Sequence, residues 1–258
     1  CVDIEPVHRR CGNLGLEALD LARSRVLAGA ARCVGTKRCA GDQRQLDILV
    51  IVDESRKVDA QPAIEQIGLD AIAITDHDTV EGALYAMECD TPVIVIPGTE
   101  VSTQQGHLLA LGVTEPIPAG RDFFETVALA RSRGALLILP HPYHRWRHGV
   151  GRRLAAGIEA VDAVEVFNSR YITGSANRKA ALIARKFGKP GIAGSDAHNA
   201  RYVGFGVTYV VAEPDAASII SAIREGRTMA SGRMTPLHTY TRQSLKGAIR
   251  KIRRTVYR

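Results

Sequence analysis

No stretch of this 258-residue chain approaches the roughly 20 consecutive apolar residues that a membrane-spanning helix requires. The opening, Cys1-Val2-Asp3-Ile4-Glu5, has no initiating Met and no positive flank followed by an apolar core, so no secretory signal is expected there. Cysteine is scarce and its spacing carries no pattern. Four of the five (Cys1, Cys11, Cys33 and Cys39) precede position 40, Cys89 stands alone, and none forms a C-x2-C pair. A zinc knot is therefore disfavoured and a disulfide framework is not indicated. These absences lead to the expectation of a cytoplasmic protein with reduced thiols. What remains is ordinary for a globular chain: 45% hydrophobic residues, 24% charged residues and a mean hydropathy near zero. The length suits one large α/β domain with short appendages.

The net charge of +7 is unevenly distributed. Residues 242–258 hold seven Lys/Arg and no acid, and residues 1–45 hold eight Lys/Arg against five Asp/Glu. The central part is therefore slightly acidic, and the basic character belongs to the ends. Such ends are either solvated tails or handles for polyanions. The organisation expected is an N-terminal extension and linker (1–45), a catalytic-type domain (46–236) and a basic C-terminal tail (237–258). Within the extension, 14–34 has a rough 3.6-residue apolar stripe and reads as a helix. Within the tail, Leu245, Ile249, Ile252 and Val256 share one helical face, with basic residues on the others.

From Leu46 onward short apolar runs alternate with helical stretches. The runs are 46–52, 70–75, 93–101, 107–113, 135–140, 163–168, 190–195 and 207–212. Helices are expected over 60–67, 80–88, 121–133, 175–187 and 215–225. Continuous apolar strands separated by helices indicate a mostly parallel sheet covered by helices. Most runs end in His, Asp, Glu or Asn, and parallel α/β folds build their sites at the carboxyl ends of strands. Ligand-type residues at five strand ends favour a barrel, where such ends converge, over an open sheet.

The chemistry lies in 75-TDHDTVEG-82, 97-PGTEVS-102, 106-GHLLALG-112, 140-PHPYHRWRHG-149 and 194-GSDAHN-199. Imidazoles and carboxylates are costly to bury unless paired or metal-bound. Imidazole with carboxylate suits Zn²⁺, Mn²⁺ or Fe²⁺, and two such ions about 4 Å apart can stabilise both the attacking and the leaving oxygen at phosphorus.

In these five segments and their order the chain resembles the polymerase-and-histidinol-phosphatase (PHP) superfamily, and within it the small stand-alone metal-dependent phosphoesterases. The resemblance covers about 46–236. It implies an α/β fold, a distorted (β/α)7 TIM-like barrel, here with an N-terminal helical extension and a basic C-terminal helix. It further implies two or three divalent metals in the barrel mouth. Carried over by motif, Glu100 would bridge two of them, with His107 and His141 completing one metal and Asp196 serving its neighbour. His77 and His198 would belong to a third. Glu100, Asp196 and His198 are the expected catalytic set, and Arg145, Arg147 and Arg170, following strand ends, are candidate phosphate ligands because guanidinium matches phosphate bidentately.

The first motif departs from the family pattern. The resemblance calls for D-x-H-x-H and then a hydroxyl residue, whereas this chain reads 47-DILVIVDESRKVD-59. Asp47 and Ser55 fit; Leu49 and Ile51 stand in place of the two histidines, and Val52 in place of the hydroxyl. Neither Leu nor Ile has a lone pair to offer. The metal normally held by that pair would retain only Glu100 and Asp196, so fewer metals are implied. Three explanations stay open: a weaker or different enzyme, an inactive relative kept for binding, or an alteration confined to this segment.

Further residues carry two readings each. Trp146, the only tryptophan, suits base stacking or packing. His144 and His148 are either ligands or polar loop residues. Asp78 is either an orienting partner of His77 or an exposed carboxylate. The leading expectation is a metal-dependent hydrolase of phosphate esters, acting on nucleotide or oligonucleotide ends as a nuclease-type enzyme. Its partners would be single-stranded nucleic acid or a phosphorylated small molecule. The alternative is a catalytically inactive PHP-like module that binds phosphate or nucleic acid. An amidohydrolase fits less well, because no lysine suited to carbamylation sits at a strand end.

Overall fold

The computed structural model describes residues 44–51, 68–143, 154–171, 173–197 and 200–236, and for 44–51 the backbone alone. The helices expected over 14–34, 60–67 and the C-terminal tail lie outside the described residues. So do His198, Arg145, Arg147, His144, Trp146 and His148.

The described elements run in the order β1 (Arg44–Ile51), β2 (Ala71–Ile74), α1 (Glu81–Met87), β3 (Ile94–Ser102), β4 (His107–Leu111), α2 (Phe123–Ser132), β5 (Leu136–Leu139), α3 (Leu154–Ala160), β6 (Ala163–Asn168), α4 (Gly174–Lys186), β7 (Gly191–Gly194), β8 (Gly206–Ala212), α5 (Ala216–Arg224) and β9 (Thr228–Gly232). Each apolar run named above contains a strand. Helix α3 and strand β9 are additions.

The strands form one curled α/β sheet in the order β2-β3-β4-β5-β6-β7-β1-β8-β9, with β1 also pairing β2. Strand β1 lies beside β2 in parallel register (Leu49↔Ile72, Ile51↔Ile74) and meets β7 at Val50↔Gly194. This curl is consistent with a distorted TIM-like barrel. The sheet is more mixed than expected, because β4 runs antiparallel to both β3 and β5, and β8 antiparallel to β1 and β9. The physical reason is local. Only four residues separate β3 from β4, enough for a hairpin and far too few for the crossover that a parallel neighbour needs. Thr103 N–H donates to Gly106 O (2.8 Å) within that turn, and Gly106 has φ 148°, a conformation open to glycine.

Side-chain alternation sorts the two faces. Ile96, Leu109, Leu111, Leu136, Ile138, Ala163 and Ile192 pack together on one face with Ile219, Ala222 and Ile223 of α5. Leu108, Ala110, Leu137, Leu139 and Val164 pack on the other with Phe123, Val127 and Ala130 of α2. Asp122 starts α2 by accepting from Phe124 N–H (2.9 Å), and its buried residues recur at helical spacing. Asp215 caps α5 in the same way through Ser218 N–H (2.8 Å). Arg224 of α5 donates to Gly134 O and Ala135 O, just ahead of β5. Helix α5 therefore covers the end of the sheet at which β5 begins. The opposite end, where β2, β3, β5, β6 and β7 finish, is left for polar residues.

Candidate metal centre

Glu100, His107 and Glu165 occupy the same face as Ile96, Leu109 and Ala163, because each lies an even number of positions along its strand from one of them. They form the polar layer above that apolar floor. His107 opens β4, and β4 is antiparallel, so its first residue stands level with the end of β3 (Ser102↔His107). His77 follows β2 and is held opposite Glu100 by a parallel bridge, with Asp78 N–H donating to Glu100 O (3.1 Å) and Glu100 N–H to Asp76 O (3.0 Å). His141 follows β5 and Asp196 follows β7.

The side chains meet around Glu100, which is fully buried. His107 Nδ1 lies 2.6 Å and His141 Nε2 3.1 Å from Glu100 Oε1. His77 Nε2 stands 3.6 Å from Oε2, too far for a good hydrogen bond. Oε2 is buried and has no hydrogen-bond partner among the described residues. The rings of His77 and His107 are edge to face with centroids 5.0 Å apart, and those of His107 and His141 are 5.4 Å apart. One ligand atom from each of His77, Glu100 and His107 falls within 4.8 Å of the others. The carboxylate forms the floor, while His77 and His107 are partly exposed and form a rim reachable from solvent.

Burial opposes ionisation of Glu100, but the His107 and His141 hydrogen bonds and the charges of His141 and His77 outweigh it and hold its carboxyl far below the usual range. Burial likewise opposes a charge on His141. Its Glu100 hydrogen bond and the nearby Glu100, Glu165 and Asp196 carboxylates prevail and raise its pKa.

Asp196 is held on the β6 side. Its Oδ1 accepts from Arg170 (3.1 Å) and its Oδ2 from Asn168 Nδ2 (3.3 Å). Arg170 thus lies at the strand ends as expected, with its guanidinium engaged by a buried carboxylate. Asp78 does not orient His77: its Oδ1 accepts from Ser102 N–H at 2.6 Å. Asp78 is an exposed carboxylate, the second of the two readings, and it also ties the turn to β3. Asp78 (φ 59°), His141 (φ 29°) and Asp196 (φ 45°) are the non-glycine residues with positive φ among the described residues. All three follow strands that end at this layer, and strain of this kind gathers at functional sites.

One residue escaped the sequence reading. Glu165 is buried, its Oε2 accepting from His141 N–H (2.7 Å) and Asn168 Nδ2 (3.0 Å). In 163-AVEVFN-168 it reads as the outward member of an alternating strand. The available signal was its even spacing from Ala163 in a strand with helices on both sides. Burial pushes its carboxyl up to about 7, against the opposing pull of His141 and Asn168.

A PHP-associated family model matches residues 174–228. Two uncharacterized proteins of Methanocaldococcus jannaschii are similar: MJ1587 (35% identity, 43% of this chain and 64% of the relative) and MJ0417 (37%, 49% and 52%). The matches thus span less than two thirds of either relative. Among solved structures, the fold resembles PsfC from Pseudomonas syringae (TM-score 0.61, 19% identity, 78% of this chain and 99% of that one). It also resembles a two-domain Bacteroides vulgatus protein containing a predicted PHP-like metal-dependent phosphoesterase (TM-score 0.59, 17% identity, 77% and 70%). At such identities the likeness is one of fold. The motif series on successive strand ends and the PHP-associated match over residues 174–228 make this chain similar to the polymerase-and-histidinol-phosphatase superfamily.

Proposed function

We propose that the chain is a metal-dependent hydrolase of phosphate esters, with its working centre at His77, Glu100 and His107. The observation that carries this reading is the buried Glu100 Oε2, which lacks a hydrogen-bond partner among the described residues and has His77 Nε2 3.6 Å away, in a group where His77, Glu100 and His107 each offer a ligand atom within 4.8 Å of the others. A buried carboxylate oxygen without a donor is costly, and a cation there removes the cost. The donor set fits Zn²⁺, Mn²⁺ or Fe²⁺. Bound there, such an ion would supply activation of water and charge stabilisation at phosphorus.

The protein's own groups do the rest. Glu100 fixes the His107 and His141 rings, and its ionised state keeps the centre anionic enough to hold a cation. Asp196 and, by resemblance, His198 extend the centre toward a second ion. Arg170, with Arg145 and Arg147, is proposed to receive the phosphate. The full distorted (β/α)7 barrel belongs to the same reading, as does the division into an extension (1–45), a barrel domain (46–236) and a basic tail (237–258).

For substrate we favour nucleotide or oligonucleotide ends over small phosphomonoesters, because the tail offers a polyanion handle. The alternative, an inactive module that binds phosphate or nucleic acid, is favoured by Leu49 and Ile51 in the first motif. Elemental analysis of purified protein, paired with turnover of bis-nitrophenyl phosphate, separates the two. One or more equivalents of metal with turnover abolished by chelation is the expected result. Binding of an oligonucleotide with neither metal nor turnover would establish the alternative. Replacing Lys246, Arg250, Lys251, Arg253 and Arg254 by Gln should weaken oligonucleotide binding and flatten its salt dependence, and unchanged binding would redirect the substrate toward small phosphomonoesters.

A further inference from the structure

Glu165 is a buried carboxylate with no part in the metal-holding set proposed above, and its surroundings show what it does. Strand β6 carries an irregularity between Glu165 and Phe167 in its pairing with β7. In a regular strand, residues 165 and 168 would point to opposite faces. A bulge resets the alternation and can aim both the same way. Here both converge: the two hydrogens of Asn168 Nδ2 reach Glu165 Oε2 at 3.0 Å and Asp196 Oδ2 at 3.3 Å. The backbone of Asn168 is itself clamped by Asn177 of α4, whose Oδ1 accepts from Asn168 N–H (2.9 Å) and whose Nδ2 donates to Asn168 O (3.3 Å). On the other side, Glu165 Oε2 accepts from the backbone N–H of His141 at 2.7 Å.

The two residues gripped in this way, His141 and Asp196, are both held at positive φ. A non-glycine residue stays in that region only when its surroundings over-determine it. If the His141 backbone relaxed, its imidazole would swing away from Glu100 Oε1, which it now meets at 3.1 Å. We infer that Glu165, acting through Asn168, is the positioning residue that holds His141 and Asp196 in their strained, inward-facing conformations at the metal centre. It makes a backbone contact to one and a carboxamide-relayed contact to the other. No short motif contains it.

This inference rests on the metal reading for its functional consequence, and the test separates the two. Co²⁺ is titrated into the full chain while its visible absorption, which reports coordination geometry, is recorded alongside far-ultraviolet circular dichroism. Glu165→Leu removes the acceptor, whereas Glu165→Gln keeps an oxygen for the His141 amide. We expect Glu165→Leu to weaken Co²⁺ binding about 10- to 100-fold, as losses of outer partners of metal ligands do, and to alter the spectrum. Glu165→Gln should recover most of the affinity. Unchanged affinity and spectrum in folded Glu165→Leu would overturn the inference.

Should Glu165→Leu not fold, Asn168→Ala breaks the relay with Glu165 left in place and should change the spectrum in the same direction; an unaltered spectrum there would equally overturn it. A metal-free arm reads hydrogen exchange of the His141 amide, which is protected by Glu165 in the native chain and should exchange faster in Glu165→Leu or, if that variant is lost, in Glu165→Ala. Protection without Co²⁺ binding would sink the metal reading while upholding the positioning role. Binding without any Glu165-dependent protection would do the reverse.

Discussion

His107 Nδ1 and Glu100 Oε1 are 2.6 Å apart across the β3–β4 hairpin, on diagonal positions of one sheet face. That pair joins two motifs that the sequence presents as separate, G-T-E and G-H, into one centre, and it makes Glu100 the residue on which the centre depends.

Replacing Glu100 by Gln should abolish stoichiometric metal, measured by elemental mass spectrometry. In the metal-free protein it should lower the unfolding free energy by about 3 kcal/mol at neutral pH, because the buried His141 imidazole loses its counter-charge. The folded pKa of Glu100 is depressed, so its stabilising contribution is present above the unfolded value of 4.5 and is lost as pH falls toward the folded one. The gap between native and variant in denaturant melts should therefore narrow in acid. A gap that stays constant from neutral pH down to pH ~2 would remove the electrostatic account of this contact.

Glu165 gives the opposite slope in a different window. Its folded pKa of about 7 lies above the ordinary 4.5, so its contribution is fully present below 4.5 and is lost as pH rises to 7. The shift corresponds to about 3 kcal/mol. Metal-free native protein should lose that much relative to Glu165→Gln between those two pH values, read from paired denaturant titrations. Parallel curves would show that the carboxyl titrates normally.

Arg170 and Asp196 form a nearly buried ion pair, and removing one partner of such a pair strands the other. Arg170→Met, which keeps most of the packing volume, should cost about 3 kcal/mol of stability. Arg170→Lys should recover part of it, since it restores the charge without the fork. If the Met variant melts with the native protein, the pair is peripheral and Arg170 is free to serve phosphate alone.

Leu49 and Ile51 lie on β1, whose backbone runs between β2 and β7, the strands that lead to His77 and Asp196. Restoring both as His should raise the metal content by about one equivalent, since it adds two imidazole donors of the kind such ions prefer. Turnover of bis-nitrophenyl phosphate should rise with it. If neither changes, the first motif is not what limits metal loading.

The strand positions were legible because each run is short, apolar and bounded, and the strand-end His, Glu and Asp stood out against that background. The helices over 81–87, 123–132, 174–186 and 216–224 follow the same apolar spacing that predicted them. The antiparallel placement of β4 was readable in principle from the missing crossover helix, yet an α/β rhythm on both sides concealed it. The Glu165–Asn168 relay was not legible, since a bulge depends on how β6 meets β7 and leaves no mark in the residue pattern. For Asp78 the exposed carboxylate was among the expected readings, while its bond to the Ser102 amide was not legible because that amide lies on a strand far along the chain.

His77, Glu100 and His107 come within 4.8 Å of one another only when β2, β3 and β4 have all taken their places. The β3–β4 hairpin alone brings only two of the three together, so an ion held by all three would have higher affinity for the folded sheet than for the unfolded chain. By mass action such an ion deepens the native state by about 2.7 kcal/mol at a free concentration one hundred times its dissociation constant. Metal supply would then set how much of this protein persists in the folded form, apart from whatever reaction the ion serves.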